Sequence, residues 1–381
     1  MHSNPRIAII GAGPGGLTLA RILYLHGIAA TVYEQEVHPL SRPQGGSLDL
    51  HEDSGLLALE RAELSDAFQA IARYDDQGTR LLARNGQVLF DDQNASGGNR
   101  PEVDRTALRS LLLDSLPPSM VRWNCALLGL EDAGEGCWNL SFGHGNEGPF
   151  DWVVGADGTW SRVRPFVSTY EPQYSGLCFV EFGINDIDRS HPELALLVGR
   201  GMLNVEGDGK ALIVQRNGNS HVRGYAIFRV PMGWVEKRFD FTSVSAVREG
   251  LVQEFAGYSE EILNLFRASS DEFAVRPIFA LPVGHSWVRR PGLTLIGDAA
   301  HVMSPFGGDG VNNAMLDAAE LAHLLIERRQ CNNAVAEYER RMFERLVPSA
   351  KSAAEGAATF LSHDGQALTL AMYLSHQGTR P

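Results

Sequence analysis

The sequence predicts an α/β protein, with an antiparallel β-sheet inserted into a parallel-sheet domain and helices at the C-terminal end. Three observations predict it. An apolar run at 7–10 leads into a glycine-rich loop, an amphipathic stretch and a second apolar run, the order of a βαβ unit. Between residues 174 and 230 the texture changes to short alternating segments separated by Gly, Asn and Asp, as antiparallel strands require. From residue 311 onward apolar residues recur at helical spacing.

In order along the chain, 6–10 reads as a short buried strand. Residues 14–27 read as a helix, with Leu17, Leu19, Ala20, Leu23 and Leu25 apolar and Gly27 at the stop. Residues 29–33 form the second parallel strand and end at Glu34. A helix is expected over 55–70, and a hairpin over 79–91 turning on Asn85-Gly86. A helix over 104–116 starts from Asp104 as its cap and carries Leu108, Leu111, Leu112 and Leu116 on one face. Residues 151–158 read as a strand running into a turn. Short strands follow at 178–184, 202–205, 211–215 and 222–230, then a helix over 244–266. The α/β texture resumes at Leu293. Helices are expected over 311–329, over 332–361 with an interruption at Pro348, and over 365–374. This order divides the parallel-sheet domain into 1–72, 104–172 and 281–330. The inserted β domain takes 73–103 and 173–280, and the C-terminal helices take 331–381.

Composition narrows the class of function. The chain has 381 residues, 44% hydrophobic and 21% charged, as in ordinary globular proteins. Its net charge of −13 argues against nucleic acid and against anionic membranes. The 4 cysteines lack C-x-x-C spacing, and the histidines are scattered, so no metal site is expected. The thiols read as reduced in a cytoplasmic protein. No signal peptide is evident, and no apolar run reaches the roughly 18 residues of a membrane span. The two glycosylation sequons, at Asn94 and Asn139, read as chance matches.

Gly11-x-Gly13-x-x-Gly16 follows the first strand and opens the first helix. Gly11 permits the tight turn, Gly13 lets the backbone approach a pyrophosphate, and Gly16 lets helix and sheet pack closely. Pro14, in the same loop, is counted with these glycines among the cofactor-binding residues. Phosphate is favoured at the helix N-terminus by its free N–H groups and its dipole. Glu34, about 20 residues further on, can accept from ribose hydroxyls. This block signals a dinucleotide and does not separate FAD from NAD.

A second glycine-rich block runs from Leu295 through Gly297-Asp298, His301, Pro305, Phe306, Gly307, Gly308 and Gly310 to Val311 and Asn312. Between the two lies Asp157-Gly158. With these three motifs in this order, the chain resembles the single-component FAD-dependent aromatic hydroxylases, the group of para-hydroxybenzoate hydroxylase. Within that group it is similar to the TetX-type tetracycline-modifying flavin monooxygenases. The shared texture includes Gly45-Gly46-Ser-Leu-Asp49-Leu-His51 and Asp104-Arg105-x-x-Leu-Arg109.

The resemblance implies a Rossmann-like FAD domain of the glutathione-reductase type and a β-sheet substrate domain. It implies FAD reduction by NADPH or NADH, a flavin C4a-hydroperoxide, and attack on it by an electron-rich aromatic or enolic small molecule. A reductase or dehydrogenase of the same fold is the alternative. The flavin carries the chemistry, so no catalytic side chain is named. By the resemblance, Asp298 meets the ribityl chain, Pro305 and Phe306 turn beside the flavin ring, and the helix starting near Gly310 stabilises the reduced ring. Gly46 and Asp49 lie on a loop touching the flavin, Asp157 helps hold FAD, and Phe306 and Gly307 reach the substrate side.

Several residues stay open between roles. Arg105 is favoured as the FAD arginine over Arg109, which reads as a solvated partner of Asp104 or Asp114. Arg42 can serve phosphates or the surface, and Arg164 can serve FAD or a surface salt bridge. His301 reads as a structural histidine near the cofactor. The chain departs from the family at Gln35, where relatives carry Arg, and at Asp309, where Gly-Gln-Gly is usual. It departs again at Glu181, Gly201 and Arg223, which by rough alignment replace the Gln, Arg and His that hold tetracycline. Glu181 and Arg223 are the candidates for orienting substrate. The absence of a thioredoxin-like C-terminal domain suggests a monomer.

Overall fold

The computed structural model describes residues 5–41, 45–93, 100–270, 272–327 and 331–377. The chain forms two compact units. The first takes 1–72, 105–173 and 279–354, and the second takes 73–104, 174–278 and 355–381. The C-terminal helices, set apart in the sequence reading, are thus divided between the units at residue 354.

The first unit is built on a five-stranded parallel sheet in the order Leu293–Leu295, Trp152–Gly155, Ile7–Ile10, Ala30–Tyr33, Val121–Arg122. Its central strands carry continuous apolar runs because both faces are covered. Ile9, Val32, Val153 and Leu295 are fully buried. Helix Pro14–Leu25 packs on the sheet with Leu17, Leu19 and Leu23 inward. The unit also holds a three-stranded antiparallel sheet, Leu127–Gly134, Cys137–Phe142 and Gly145–Phe150, which the sequence reading did not anticipate.

The second unit is built on a seven-stranded sheet. Its order is Phe273–Ala280, Gln173–Ile184, Val222–Arg229, Lys210–Arg216, Gly201–Gly207, Gly78–Ala83, Val88–Asp92. One face packs Val180, Phe182, Leu212 and Phe228 against Leu251, Phe255 and Phe266 of the following helices. Residues of opposite parity, including Glu181, Arg223, Tyr225 and Asn204, point to the other face.

Four expected elements change. The stretch read as one helix over 55–70 is a π-helical turn, Glu52–Leu56, then helices Leu57–Arg61 and Ser65–Gln69. The helix over 244–266 is two helices, Val244–Glu254 and Glu260–Arg267, broken around Gly257 at φ +90. Asp104 does more than precede its helix: its carboxylate pairs with Arg73 at 2.9 Å and accepts from Gly218 N at 3.2 Å. The final long helix, Cys331–Thr359, continues through Pro348. Its flanking turns bury Leu346 and Ala353, which offsets the roughly 3 kcal/mol cost of an internal proline. No helix among the described residues is long and apolar enough to cross a membrane.

Candidate active site

Three turns lie along one edge of the parallel sheet, at the C-terminal ends of adjacent strands. They are Gly11 to Gly16, Asp157-Gly158 and Gly297-Asp298. Open α/β sheets bind their ligands at this edge. The blocks from opposite ends of the sequence touch: a Cβ on Gly15 would stand 2.9 Å from the Ala314 carbonyl oxygen in helix Gly310–Glu327.

In the first loop Pro14 takes the first helical position, where its missing N–H matters least. A Cβ on Gly11 would lie 2.4 Å from the Ala156 carbonyl oxygen, and one on Gly16 would lie 2.2 Å from that of Gly11. A Cβ on Gly13 would meet nothing within 4 Å. The chain's own packing therefore demands Gly11 and Gly16, while Gly13 opens onto free space at a helix N-terminus. That space fits a phosphate.

Glu34, 7% exposed, accepts from Ala12 N at 2.7 Å and from Glu36 N at 2.9 Å. It fixes the glycine loop, and each of its oxygens keeps a lone pair for a ribose hydroxyl. Arg109 is not a solvated partner of Asp104 or Asp114. It shares the buried face of its helix with Leu108 and Leu112. It pairs with Glu36 at 2.8 Å and donates to Ala12 O at 3.0 Å and Pro39 O at 3.1 Å. Arg105 is exposed; its backbone N donates to Gly46 O at 3.2 Å, and its side chain passes Gly45. Arg42 lies outside the described residues.

Arg164 likewise is no surface salt bridge. It is 3% exposed and donates to Ala299 O at 2.7 Å, Thr159 O at 2.8 Å and Asp298 O at 3.0 Å. It clasps the Asp157-Gly158 turn to the Gly297-Asp298 turn. Asp157 Oδ2 accepts from Arg162 N at 2.6 Å, while Oδ1 is buried without a hydrogen-bond partner. Burial raises the pKa of this carboxyl. An orphaned acceptor at this edge fits a ligand bearing hydroxyl groups.

Asp298 is exposed and opens the short helix Asp298–His301. Pro305, Phe306 and Gly307 form a single 3₁₀ turn, with Gly308 at φ +71 after it. Pro305 and Gly308 are exposed, and Phe306, Gly307, Gly310 and Val311 are half-buried. Asn312 is 1% exposed: its Oδ1 accepts from His51 N at 2.9 Å and its Nδ2 donates to Asp49 O at 2.9 Å. Its side chain therefore holds the loop that follows Gly46, leaving its backbone for any ligand. His51 stands between two carboxylates, with Nε2 3.0 Å from Asp49 Oδ2 and Nδ1 3.8 Å from Asp309 Oδ1. The aspartate that replaces the family's glutamine thus faces an imidazole.

In the second unit Glu181 and Arg223 form an ion pair, and Arg276 binds the other Glu181 oxygen at 3.0 Å. Arg276 was not foreseen; nothing in its sequence setting marks it. Gly201, at φ +130, could carry no side chain, since a Cβ would stand 2.1 Å from the Gly78 carbonyl oxygen. Backbone packing excludes any side chain at this place.

The FAD binding domain family matches residues 5–185 and 285–340. The monooxygenase penA of Penicillium thymicola is 34% identical over 377 residues, spanning 85% of each chain. The crystal structure of Klebsiella pneumoniae HpxO complexed with FAD and uric acid superposes with a TM-score of 0.81 at 22% identity, covering 98% of this chain and 93% of that one. The tetracycline destructase Tet(51) gives 0.70 at 20% identity, covering 97% and 96%. The chain belongs to the FAD binding domain family, among its FAD-dependent monooxygenases.

Proposed function

We propose that the protein takes two electrons from NADPH or NADH and inserts one atom of O2 into an electron-rich aromatic or enolic small molecule, the other atom leaving as water. The observation that carries this reading is the convergence of Gly13, Asp157 and Asp298 on one sheet edge in a chain whose relatives are monooxygenases. Bound FAD would supply the electron transfer and the activation of oxygen. The loop at Gly13 would hold the pyrophosphate and Glu34 a ribose. Arg105, Asp157 and Asp298 would hold the rest of the dinucleotide. The N-terminus of helix Gly310–Glu327 is worth roughly half a positive charge and would favour the ring when it is reduced.

Arg223 and Glu181 would orient the substrate. With Arg276 they carry one net positive charge, which suits a phenolate or enolate oxygen. Tetracyclines fall in this chemical class, but the contacts missing at Gly201 and altered at Glu181 and Arg223 argue against them as the natural substrate. The working form would be a cytoplasmic monomer. The test is NADPH oxidation in air by the FAD-loaded protein against tetracyclines, simple phenols and polyketide quinols, with mass spectrometry of products. A product heavier by one oxygen supports the reading; oxidation that yields a dehydrogenated product and no oxygenated one favours a dehydrogenase of the same fold.

A further inference from the structure

The second unit buries a carboxylate that this reaction does not use. Glu206 lies on strand Gly201–Gly207, on the face away from the core that receives Leu203 and Val205. It is 2% exposed, and neither of its carboxylate oxygens has a full hydrogen bond. Two residues earlier on the same face, Asn204 is 3% exposed. Its Nδ2 donates to the Tyr373 hydroxyl, and its Oδ1 has no partner. Three acceptor atoms are buried here without a well-formed hydrogen bond, the Thr369 hydroxyl standing beside the carboxylate, where nearly all such atoms are normally satisfied. The neighbouring cations are engaged elsewhere: Lys210 with Glu254 at 3.1 Å, and Arg84 with Asp208.

Glu206 lines a cavity of about 350 Å³ between the turn 207–210 and the segment 360–366. Phe360 and Leu361 give it apolar wall, and Ser362 and Gln366 give it polar wall. The Gln366 amide already donates to the Glu206 carbonyl at 2.7 Å, so that donor does not serve the carboxylate.

We propose that this cavity is a binding site for a small amine, its ammonium group received by the Glu206 carboxylate, which turns toward the cavity from its buried position, its hydrocarbon part lying on Phe360 and Leu361. An ammonium group brings three donors and a positive charge, which the acceptors here lack. A neutral alcohol brings one donor and no charge. An anion would meet Glu206 and Asp208. The inference does not depend on the monooxygenase reading.

Burial pushes the Glu206 carboxyl up to about 7, with the Thr369 hydroxyl opposing. The other titratable and charged groups around it are Tyr373 on the last helix, Tyr258, Asp208 and Lys210 at the turn, Arg84 on the neighbouring strand, and His363. Capture of an ammonium group requires the carboxylate, so affinity rises with pH while the amine stays protonated. Calorimetric titration of the FAD-loaded protein with phenethylamine should show binding about tenfold tighter at pH 8 than at pH 6. Phenethyl alcohol should not bind, and Glu206→Gln should abolish amine binding while melting no earlier than the wild type. Equal binding of the alcohol, pH-independent binding, undiminished binding to the variant, or no binding of the amine at pH 8 would each overturn the proposal.

Discussion

His301 Nε2 lies 2.6 Å from Asp317 Oδ2, with Asp317 fully buried and His301 7% exposed. The same carboxylate accepts from Gly297 N at 2.8 Å and from Arg345 Nη2 at 2.6 Å. One buried aspartate on helix Gly310–Glu327 thus holds the backbone of the distal glycine turn, a histidine from the same turn, and an arginine from the long C-terminal helix.

Asp317→Asn should destabilise the protein by about 3–5 kcal/mol, because it leaves Arg345 half-paired and loosens the Gly297 turn. Burial alone would raise the Asp317 carboxyl, but His301, Arg345 and the Gly297 N–H outweigh it and hold it below its ordinary value of 3.8. For a depressed carboxyl, the stabilisation is present above the unfolded value and lost as pH falls through the folded one. Urea denaturation followed below about pH 4 should therefore show an acid-side loss of stability in the wild type that the variant lacks. An unchanged midpoint in the variant would contradict this assignment.

Two glycines of the first loop should respond differently to alanine. Gly16→Ala forces a Cβ to 2.2 Å from a backbone oxygen and should destabilise the protein with or without FAD. Gly13→Ala meets open space in the protein alone and has an ordinary φ of −81, so the apoprotein should melt within a few degrees of wild type. Its FAD affinity should fall by at least about tenfold, because the added methyl occupies the phosphate position. Thermal melts of apoprotein with fluorescence titration of FAD separate the two cases. Wild-type FAD affinity in Gly13→Ala would remove the phosphate from that loop.

Arg105 and Arg109 should also separate. Arg109→Met leaves Glu36 buried without its cation and removes two bonds to carbonyls, so a loss of about 3–5 kcal/mol is expected. Arg105→Met, at an exposed position, should leave the melting temperature nearly unchanged and weaken FAD binding. If the Arg105 variant bound FAD as tightly as wild type, the dinucleotide would have to be held without it.

Much of the fold is legible in the sequence alone. The strand at 7–10, the glycine loop, Pro14, the hairpin at Asn85-Gly86 and the four strands between 174 and 230 follow from local pattern and turn chemistry, and they stand within a few residues of where the sequence puts them. The antiparallel strands Leu127–Gly134, Cys137–Phe142 and Gly145–Phe150 were missed because glycine and charged residues blur their alternation. The roles of Arg109, Arg164, Arg276 and Arg345 could not be read at all. Each is set by a partner brought near only by tertiary folding, and a lone arginine in sequence reads as surface charge.

The Glu206 carboxyl gives a pH effect of opposite sign to that of Asp317. Its value is raised from 4.5 to about 7, so its stabilisation is full below 4.5 and is lost as pH rises through about 7. Without added amine, the unfolding free energy should fall by about 2–3 kcal/mol over that window, and Glu206→Gln should flatten the profile. Chemical denaturation from about pH 5 to 8 measures it. A wild-type profile that is flat or rises with pH would mean that the carboxylate is already compensated.

Isotope labelling follows the inserted oxygen atom itself. FAD-loaded protein, NADPH and the substrate panel should be incubated under labelled dioxygen and the products weighed. One labelled oxygen atom is expected in a product whose formation depends on both NADPH and the protein. A product whose oxygen comes from water, or a protein that fails to bind FAD at all, would contradict oxygen insertion.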